Sequence, residues 1–328
     1  MKFDIEILSN GQADCFLVLL ENDKGDECSI LIDGNCEGTK SEALGKVVDR
    51  ISKLKKLDCI VVTHIDNDHI GGILSLFERD KDEKPCIIEQ LKESIIVYNN
   101  VTETVISYKQ AERFEKLIRD KKVFNSFSNR YENVKKILYF LSVRTRKILK
   151  LNEYNKKNVY ITFLNPDKNG AKEVINDYKK YKISGKKAYA ELINRNSIVL
   201  LIEFQGKKVL FTGDSYSESI KNVIDELQKK SVPSPINEID LIKIPHHGAD
   251  EYNKNLVCLS KNVKCGKFIL TGKSEWDKKH PSEKILEDLL DNLSGELELE
   301  LYTEVDLASI NAKFKELQKD FKNEINIL

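Results

Sequence analysis

The 328 residues predict an α+β fold made of two β-rich halves, each covered by helices. Three observations carry this prediction. The chain opens with short alternating segments, a continuous apolar run from Cys59 to Val62 leads directly into a helix-like segment, and a second group of strand patterns follows residue 189. Phe3–Leu8, Cys15–Glu21 and Ser29–Asp33 read as an opening antiparallel run, with Gly25 turning the second into the third. Apolar residues at 44, 47, 48, 51 and 54 give the stretch from Ala43 to Lys56 a helical period.

Further along, Ile198–Phe204 and Lys208–Phe211 flank Gly206 as a hairpin, and Ser217–Lys229 reads as a helix. Ile239–Pro245 is the next strand and Phe268–Leu270 a short one. Ser282–Leu293 is helical, and the tail alternates over Leu297, Leu299 and Leu301 before turning helical near Leu307. The whole of 1–328 is expected to form one domain, which is long enough to bury a sizeable core. A helical insertion is expected at about 80–160, where Lys, Glu and Leu are abundant.

The N-terminal segment alternates like a strand and lacks the apolar core of a signal peptide. No stretch approaches the roughly 18 apolar residues of a membrane span. The seven cysteines are odd in number and show no CxxC spacing. A reduced, cytoplasmic protein with buried thiols is expected, with no membrane partner.

Net charge is zero, with 53 basic and 53 acidic side chains, but the distribution is uneven. Residues 101–190 hold 22 Lys+Arg against 9 Asp+Glu. Aromatic residues are interleaved there, among them Tyr108, Phe114, Phe124, Phe127, Tyr131, Tyr139 and Phe140. Cationic side chains beside stacking surfaces suit a nucleic acid or other phosphodiester partner, and Lys121, Lys122, Lys135 and Lys136 are the candidates for holding it. Aromatics at helical spacing equally suit a core, and helix lysines a solvated face.

The chemistry concentrates in Thr63-His64-Ile65-Asp66-Asn67-Asp68-His69-Ile70-Gly71-Gly72. Two histidines and two aspartates fill six positions at the end of a buried strand, where their desolvation demands compensation. A divalent cation supplies it. Downstream, Thr212-Gly213-Asp214 ends the hairpin, and Pro245-His246-His247-Gly248 follows another strand. His280-Pro281 completes the five histidines.

In this order, these segments resemble the metallo-β-lactamase fold superfamily. Within it they are similar to the branch typified by the hydrolase domain of the ComEC/Rec2 competence proteins and by phosphorylcholine esterase. Gly11-Gln12-Ala13-Asp14, Leu31-Ile32-Asp33-Gly34 and Lys243-Ile244-Pro245-His246-His247-Gly248 join the motif in carrying this likeness. The resemblance implies a four-layer αββα sandwich with two divalent metal ions, Zn²⁺ or Mn²⁺, at the mouth between the sheets. His64 and Asp66 would hold the first ion. Asp68 and His69 would hold the second with a histidine of the His-His-Gly triplet, and Asp214 would bridge the two. His246 is favoured as that ligand and His247 as the residue facing substrate, with the choice left open.

A hydroxide between the two ions would be the nucleophile, with Asp68 orienting it. His280 would protonate a leaving group or touch a phosphate, or else cap the next helix. Asp33 would support the metal loop, and Lys243 is expected to be an outward strand residue.

The chain departs from the superfamily pattern twice. Asp66 stands where histidine is common, which makes the site harder and tilts it toward Mn²⁺. No histidine occurs between residues 70 and 245, where many members supply a first-site ligand. Either Asn194 or Asn196 offers a carbonyl oxygen there, toward metal or substrate, or the first ion is weak and recruited with substrate. The expected function is a metal-dependent phosphodiester hydrolase, a nuclease acting on DNA or RNA. The alternatives are a hydrolase of a small phosphoester or cyclic nucleotide, and a non-catalytic metal-binding subunit of a larger assembly.

Overall fold

The computed structural model describes residues 1–9, 11, 13–36, 42–79, 82–99, 109–124, 126, 141–145, 159–184, 190–229, 236–272, 280–320 and 324–328. Strands β1 (Lys2–Ile7), β2 (Phe16–Glu21) and β3 (Glu27–Ile32) form the antiparallel opening. Helix α1 (Glu42–Ser52) crosses to β4 (Cys59–Val61), which pairs parallel with β3. Helix α2 (Asn67–Phe77) follows, then α3 (Ile88–Lys92), β5 (Ile95–Val97), α4 (Lys109–Leu117) and β6 (Lys122–Phe124). β5 and β6 extend the same sheet in parallel.

The second sheet begins with β7 (Leu141–Thr145) and β8 (Val159–Asn165). Helices α5 (Lys168–Ser184) and α6 (Ala190–Arg195) lead to the hairpin of β9 (Val199–Phe204) and β10 (Lys207–Phe211). Gln205 and Gly206 turn it with positive φ at both positions, the tight turn whose twist suits a two-residue hairpin. After α7 (Ser217–Lys229) come β11 (Leu241–Lys243), α8 (Asp250–Asn253), α9 (Leu256–Asn262) and β12 (Lys267–Leu270). Helix α10 (Glu283–Leu293), β13 (Glu300–Thr303), α11 (Leu307–Ile310), β14 (Gln318–Asp320) and β15 (Ile325–Asn326) complete the chain. The sheet orders are β15-β1-β2-β3-β4-β5-β6 and β14-β13-β12-β11-β10-β9-β8-β7.

Side-chain parity explains the layering. Cys59 and Val61 face the inter-sheet core with Ile198, Leu200 and Ile202, whereas Ile60 and Val62 face α1 and α2. Val199 and Leu201 point the other way, into a third apolar layer with Ile220, Ile224, Leu259 and Leu289. Strands buried on both faces need continuous apolar runs, which these sequences have. The result is the four-layer αββα sandwich. Among the described residues, no helix is long and apolar enough to cross a membrane.

The span 80–160, expected to be helical, supplies strands β5 to β8 as well as α3 and α4. Lys- and Glu-rich composition reports solvent exposure, whereas Ile95–Val97 and Val159–Leu164 are buried strand runs within it. Lys135, Lys136, Phe127, Tyr131, Tyr139 and Phe140 lie outside the described residues. Phe114 is buried, as a core reading of these aromatics requires.

The start of α2 presses against the loop after β3. Gly34 N donates to His69 O and Gly72 N donates to Asn35 O, at 2.8 and 2.9 Å. A Cβ on Gly72 would lie 1.6 Å from Gly34 O. Gly→Ala inside a helix ordinarily stabilises by about 1 kcal/mol. Here Gly72→Ala is expected to destabilise by about 1–3 kcal/mol or more through overpacking. The urea midpoint should therefore fall, and a rise would show that the contact yields.

Candidate metal centre

The six residues of the central motif straddle the end of β4 and the first turn of α2, where Asp66 occupies the N-cap position. Its carboxylate makes no capping bond, so the turn does not explain the aspartate. Asp214 follows β10 after Gly213, whose φ is 52° and whose Cβ would meet Ser197 and Thr63 at 3.0–3.1 Å. His246 and His247 follow β11 and adopt left-handed backbone, with φ 45° and 52°. These three loops bring Asp68, His69, Asp214 and His247 together, with one donor atom from each lying within 4.8 Å of the others.

The hydrogen bonds fix the ring tautomers. Asp33, at φ 58°, accepts from Thr63 N at 2.8 Å and from Thr63 Oγ1 at 2.6 Å. It also lies 2.7 Å from His69 Nδ1, which must donate to it. Because the Thr63 hydroxyl proton is committed to Asp33, His64 Nδ1 donates to Thr63 Oγ1 at 3.1 Å. Thr271 Oγ1 donates to Asp14 at 2.8 Å, so His247 Nδ1 donates to Thr271 Oγ1 at 2.8 Å. Each of the three rings thus carries its proton on Nδ1 and leaves the Nε2 lone pair bare. Those Nε2 atoms and Asp214 Oδ1 are buried without a hydrogen-bond partner among the described residues. Such groups are costly unless a cation occupies the space between them.

Distances sort the donors into two halves around Asp214. Oδ1 lies 3.4 Å from His69 Nε2 and 4.0 Å from His247 Nε2. Asp68 Oδ2 stands 3.4 Å from His247 Nε2 and 3.8 Å from His69 Nε2. Oδ2 faces His64 Nε2 and His246 Nε2, each at 3.7 Å, and His64 Nε2 is 3.9 Å from Asp66. The sequence reading favours His246 as partner of Asp68 and His69, with His247 toward substrate. The structure reverses these places, because the left-handed backbone turns His247 inward beneath the loop and leaves His246 at the mouth.

Lys243 is fully buried, contrary to its expected outward position. β11 is apolar on both faces, so its residues carry no parity signal, and Lys243 shares the inward face of Leu241. Its Nζ lies 2.6 Å from Asp14 Oδ2 and 3.6 Å from Asp214 Oδ1, and donates to Gly213 O at 3.0 Å. Asp14, Asp33, Asp66, Asp68 and Asp214 against one lysine leave four negative charges, the charge that two divalent cations would balance.

Titration follows this excess. Without a cation, burial opposes an imidazolium at His69, but Asp214, Asp33 and Asp68 outweigh it and raise its pKa, so that a proton competes for the same Nε2 lone pair that a cation would take. Burial likewise opposes ionised Asp214, yet His69, His247 and Lys243 hold its pKa down. Burial lowers His246 to about 4.

Other expected site residues are placed differently. Asn194 Nδ2 donates to Tyr252 Oη at 3.3 Å, and Asn196 Nδ2 donates to Leu192 O at 2.9 Å. The ring of His280 lies 5.6 Å from that of His246. Lys121 Nζ donates to Leu91 O and Lys92 O at the end of α3, which engages it in the fold. Lys122 begins β6 at the sheet edge. Sequence reasoning assigns no role to Thr271, and Asp14 enters it only through resemblance; no local pattern joins two residues 257 positions apart.

Lys243→Met should destabilise the metal-free protein by about 3–5 kcal/mol, because Asp14 is left buried and uncompensated. Adding Asp14→Asn should recover part of the loss. Urea unfolding of the two single variants and the double variant measures this coupling. Strict additivity would dissolve the pair as a unit.

Residues 9–115 match the model of the metallo-beta-lactamase superfamily. No curated protein matches the chain. Among solved structures, the metallo-beta-lactamase fold protein YhfI from Bacillus subtilis aligns at 12% identity and TM-score 0.46, covering 99% of this chain and 100% of that one. A long form RNase Z from yeast aligns at 13% identity and TM-score 0.43, covering 93% of this chain and 41% of that one. A diphosphatase from the PhnP family aligns at 12% and 0.42, covering 88% and 91%. The match over residues 9–115 takes in the strand-to-helix turn that carries His64, Asp66, Asp68 and His69.

Proposed function

We propose that this chain is a metal-dependent phosphodiester hydrolase, and specifically a nuclease acting on DNA or RNA. The observation that carries the metal-dependent part is the convergence of three bare, tautomer-fixed Nε2 atoms and two carboxylates on the two oxygens of Asp214. In this reading Asp68, His69, His247 and Asp214 would hold one ion, and His64 and Asp66 would contribute to a second beside Asp214. The carboxylate-rich donor set suits Mn²⁺ as well as Zn²⁺. Bound there, the ions would acidify water and neutralise charge building on a phosphoryl oxygen.

The protein's own groups set the approach. His64, His69, His247 and Asp214 form a buried floor, while the side chains of Asp66, Asp68 and His246 retain 36, 32 and 21% exposure. Substrate therefore enters across Asp66, Asp68 and His246, with His280 alongside. Asp68 keeps one side open to solvent and can accept a proton from a nucleophile or orient it. Asp33, Thr63, Thr271 and Asp14 hold the imidazoles against rotation, so the floor does not rearrange during turnover.

The basic composition of 101–190 supports a polyanionic substrate over a lactam or lactone. The narrower likeness to the ComEC/Rec2 branch points the same way. A cytoplasmic location accords with the free cysteines, of which Cys15, Cys28, Cys59 and Cys265 are buried.

Purified protein incubated with labelled single- and double-stranded DNA and RNA, with Mn²⁺, Zn²⁺ or Mg²⁺ or with EDTA, tests the reading. Cleavage should require metal, and Asp68→Ala should lower it by about 10²–10³-fold. Hydrolysis of bis(p-nitrophenyl) phosphate without polynucleotide cleavage would redirect the assignment to a small phosphodiester. Neutralising Lys122, Lys135 and Lys136 together should flatten the salt dependence of polynucleotide binding, by about 0.7–0.9 in slope for each phosphate no longer neutralised. An unchanged slope would place the nucleic acid elsewhere.

A further inference from the structure

We propose that His246 is a metal ligand of the half-site on Asp214 Oδ2, so that the two halves of the centre carry matching donor sets. The proposal rests on the metal-dependent reading above and extends it to a residue outside the tight cluster of Asp68, His69, Asp214 and His247.

His64 Nε2 and His246 Nε2 each lie 3.7 Å from the same oxygen, Asp214 Oδ2, and His64 Nε2 is 3.9 Å from Asp66 Oδ2. Ligand atoms around a tetrahedral ion with bonds of about 2.0–2.1 Å sit about 3.4 Å apart. Shifts of a few tenths of an ångström therefore close these contacts on an ion. The opposite half shows the same range, 3.4 to 4.0 Å.

The backbone gives an independent reason. Two consecutive non-glycine residues in left-handed conformation are costly, and such strain persists where the surroundings demand it. Here it sends neighbouring rings to opposite oxygens of one carboxylate, His247 toward Oδ1 and His246 toward Oδ2. Extended backbone would instead throw adjacent side chains to opposite faces of a strand.

A wall behind His246 holds the ring. Tyr252 meets it edge-on at 4.0 Å between centroids and is itself stacked on Tyr216 at 4.3 Å. The Tyr252 hydroxyl accepts from Asn194 Nδ2. Asn194, which the sequence reading offers as a substitute donor for the absent histidine, thus takes part in the wall behind the imidazole that fills the gap. Each half then has two imidazoles, one carboxylate of its own and one oxygen of Asp214. Two ions of similar affinity follow, in place of the one tight and one substrate-recruited ion expected from sequence.

Metal-free protein titrated with Mn²⁺, followed by dialysis with elemental analysis and by electron paramagnetic resonance, tests this without recourse to turnover. Wild type should bind two equivalents with a spin-coupled signal. His246→Ala should keep one equivalent, weaken the other by at least tenfold, and show only uncoupled Mn²⁺. His247→Ala should also lose coupling. His246→Asn repeats the test if the alanine variant does not match the thermal unfolding of metal-free wild type. Two unchanged equivalents in folded His246 variants would overturn the proposal. So would a single equivalent in wild type, which leaves the metal-dependent reading intact. Binding of no cation at all would overturn both.

Discussion

The buried ion pair between Lys243 and Asp14 is the constraint on which the centre depends. Asp14 comes from the loop that closes the first sheet's opening hairpin, and Lys243 ends β11 in the second sheet, so the 2.6 Å contact spans the two halves. Burying both charges is expensive, and the pair is tolerable only with its remaining valences used. They are used: Lys243 also binds Gly213 O and faces Asp214, while the other oxygen of Asp14 accepts from Thr271. One ammonium thereby fixes the loop carrying Asp214, and one carboxylate fixes the threonine that orients His247. Without this pair the two sheets would still share an apolar layer and the bond from Ile198 N to Thr63 O, but the loops carrying Asp214 and Thr271 would lose their common anchor.

A second constraint is the commitment of every Nδ1 proton on the floor. His64, His69 and His247 reach Thr63, Asp33 and Thr271, each already engaged by another donor or acceptor. A ring flip would break a buried bond at each site. The chain thus gives up conformational freedom in the imidazoles before any ion arrives, which lowers the entropy lost on binding. The close approach of Gly34 to α2 belongs to the same scheme, since it keeps Asp33 beneath His69.

Much of this is legible in the sequence. The apolar run at 59–62 followed by paired glycines places His64 to His69 on a strand-to-helix turn, and the Gln205-Gly206 turn delivers Asp214 as expected. Helix α7 spans the residues its periodicity indicates, and α10 begins one position later. The unread features have physical causes. A three-residue strand buried on both faces carries no parity signal, so the burial of Lys243 does not show in its neighbours. Histidine favours left-handed backbone too weakly for the sequence to show it at two consecutive positions, so their order toward the donors is inverted relative to expectation. Thr271 is a lone threonine at a strand end, recognisable only once the fold sets it beside Asp14. The Lys-rich composition of 80–160 masks the strands that it also contains.

The bond between Asp14 and Thr271 joins residues separated by 257 positions, and it orients one ring of the floor. A ribosome adding about 5–20 residues per second needs on the order of tens of seconds to cross that interval. Between the synthesis of His69 and that of Asp214, the nascent chain carries His64, Asp66, Asp68 and His69 with neither Asp214 nor His246 and His247 in place. The donor cluster can therefore assemble only after His247 has emerged, and its last tie, Thr271, is made later still.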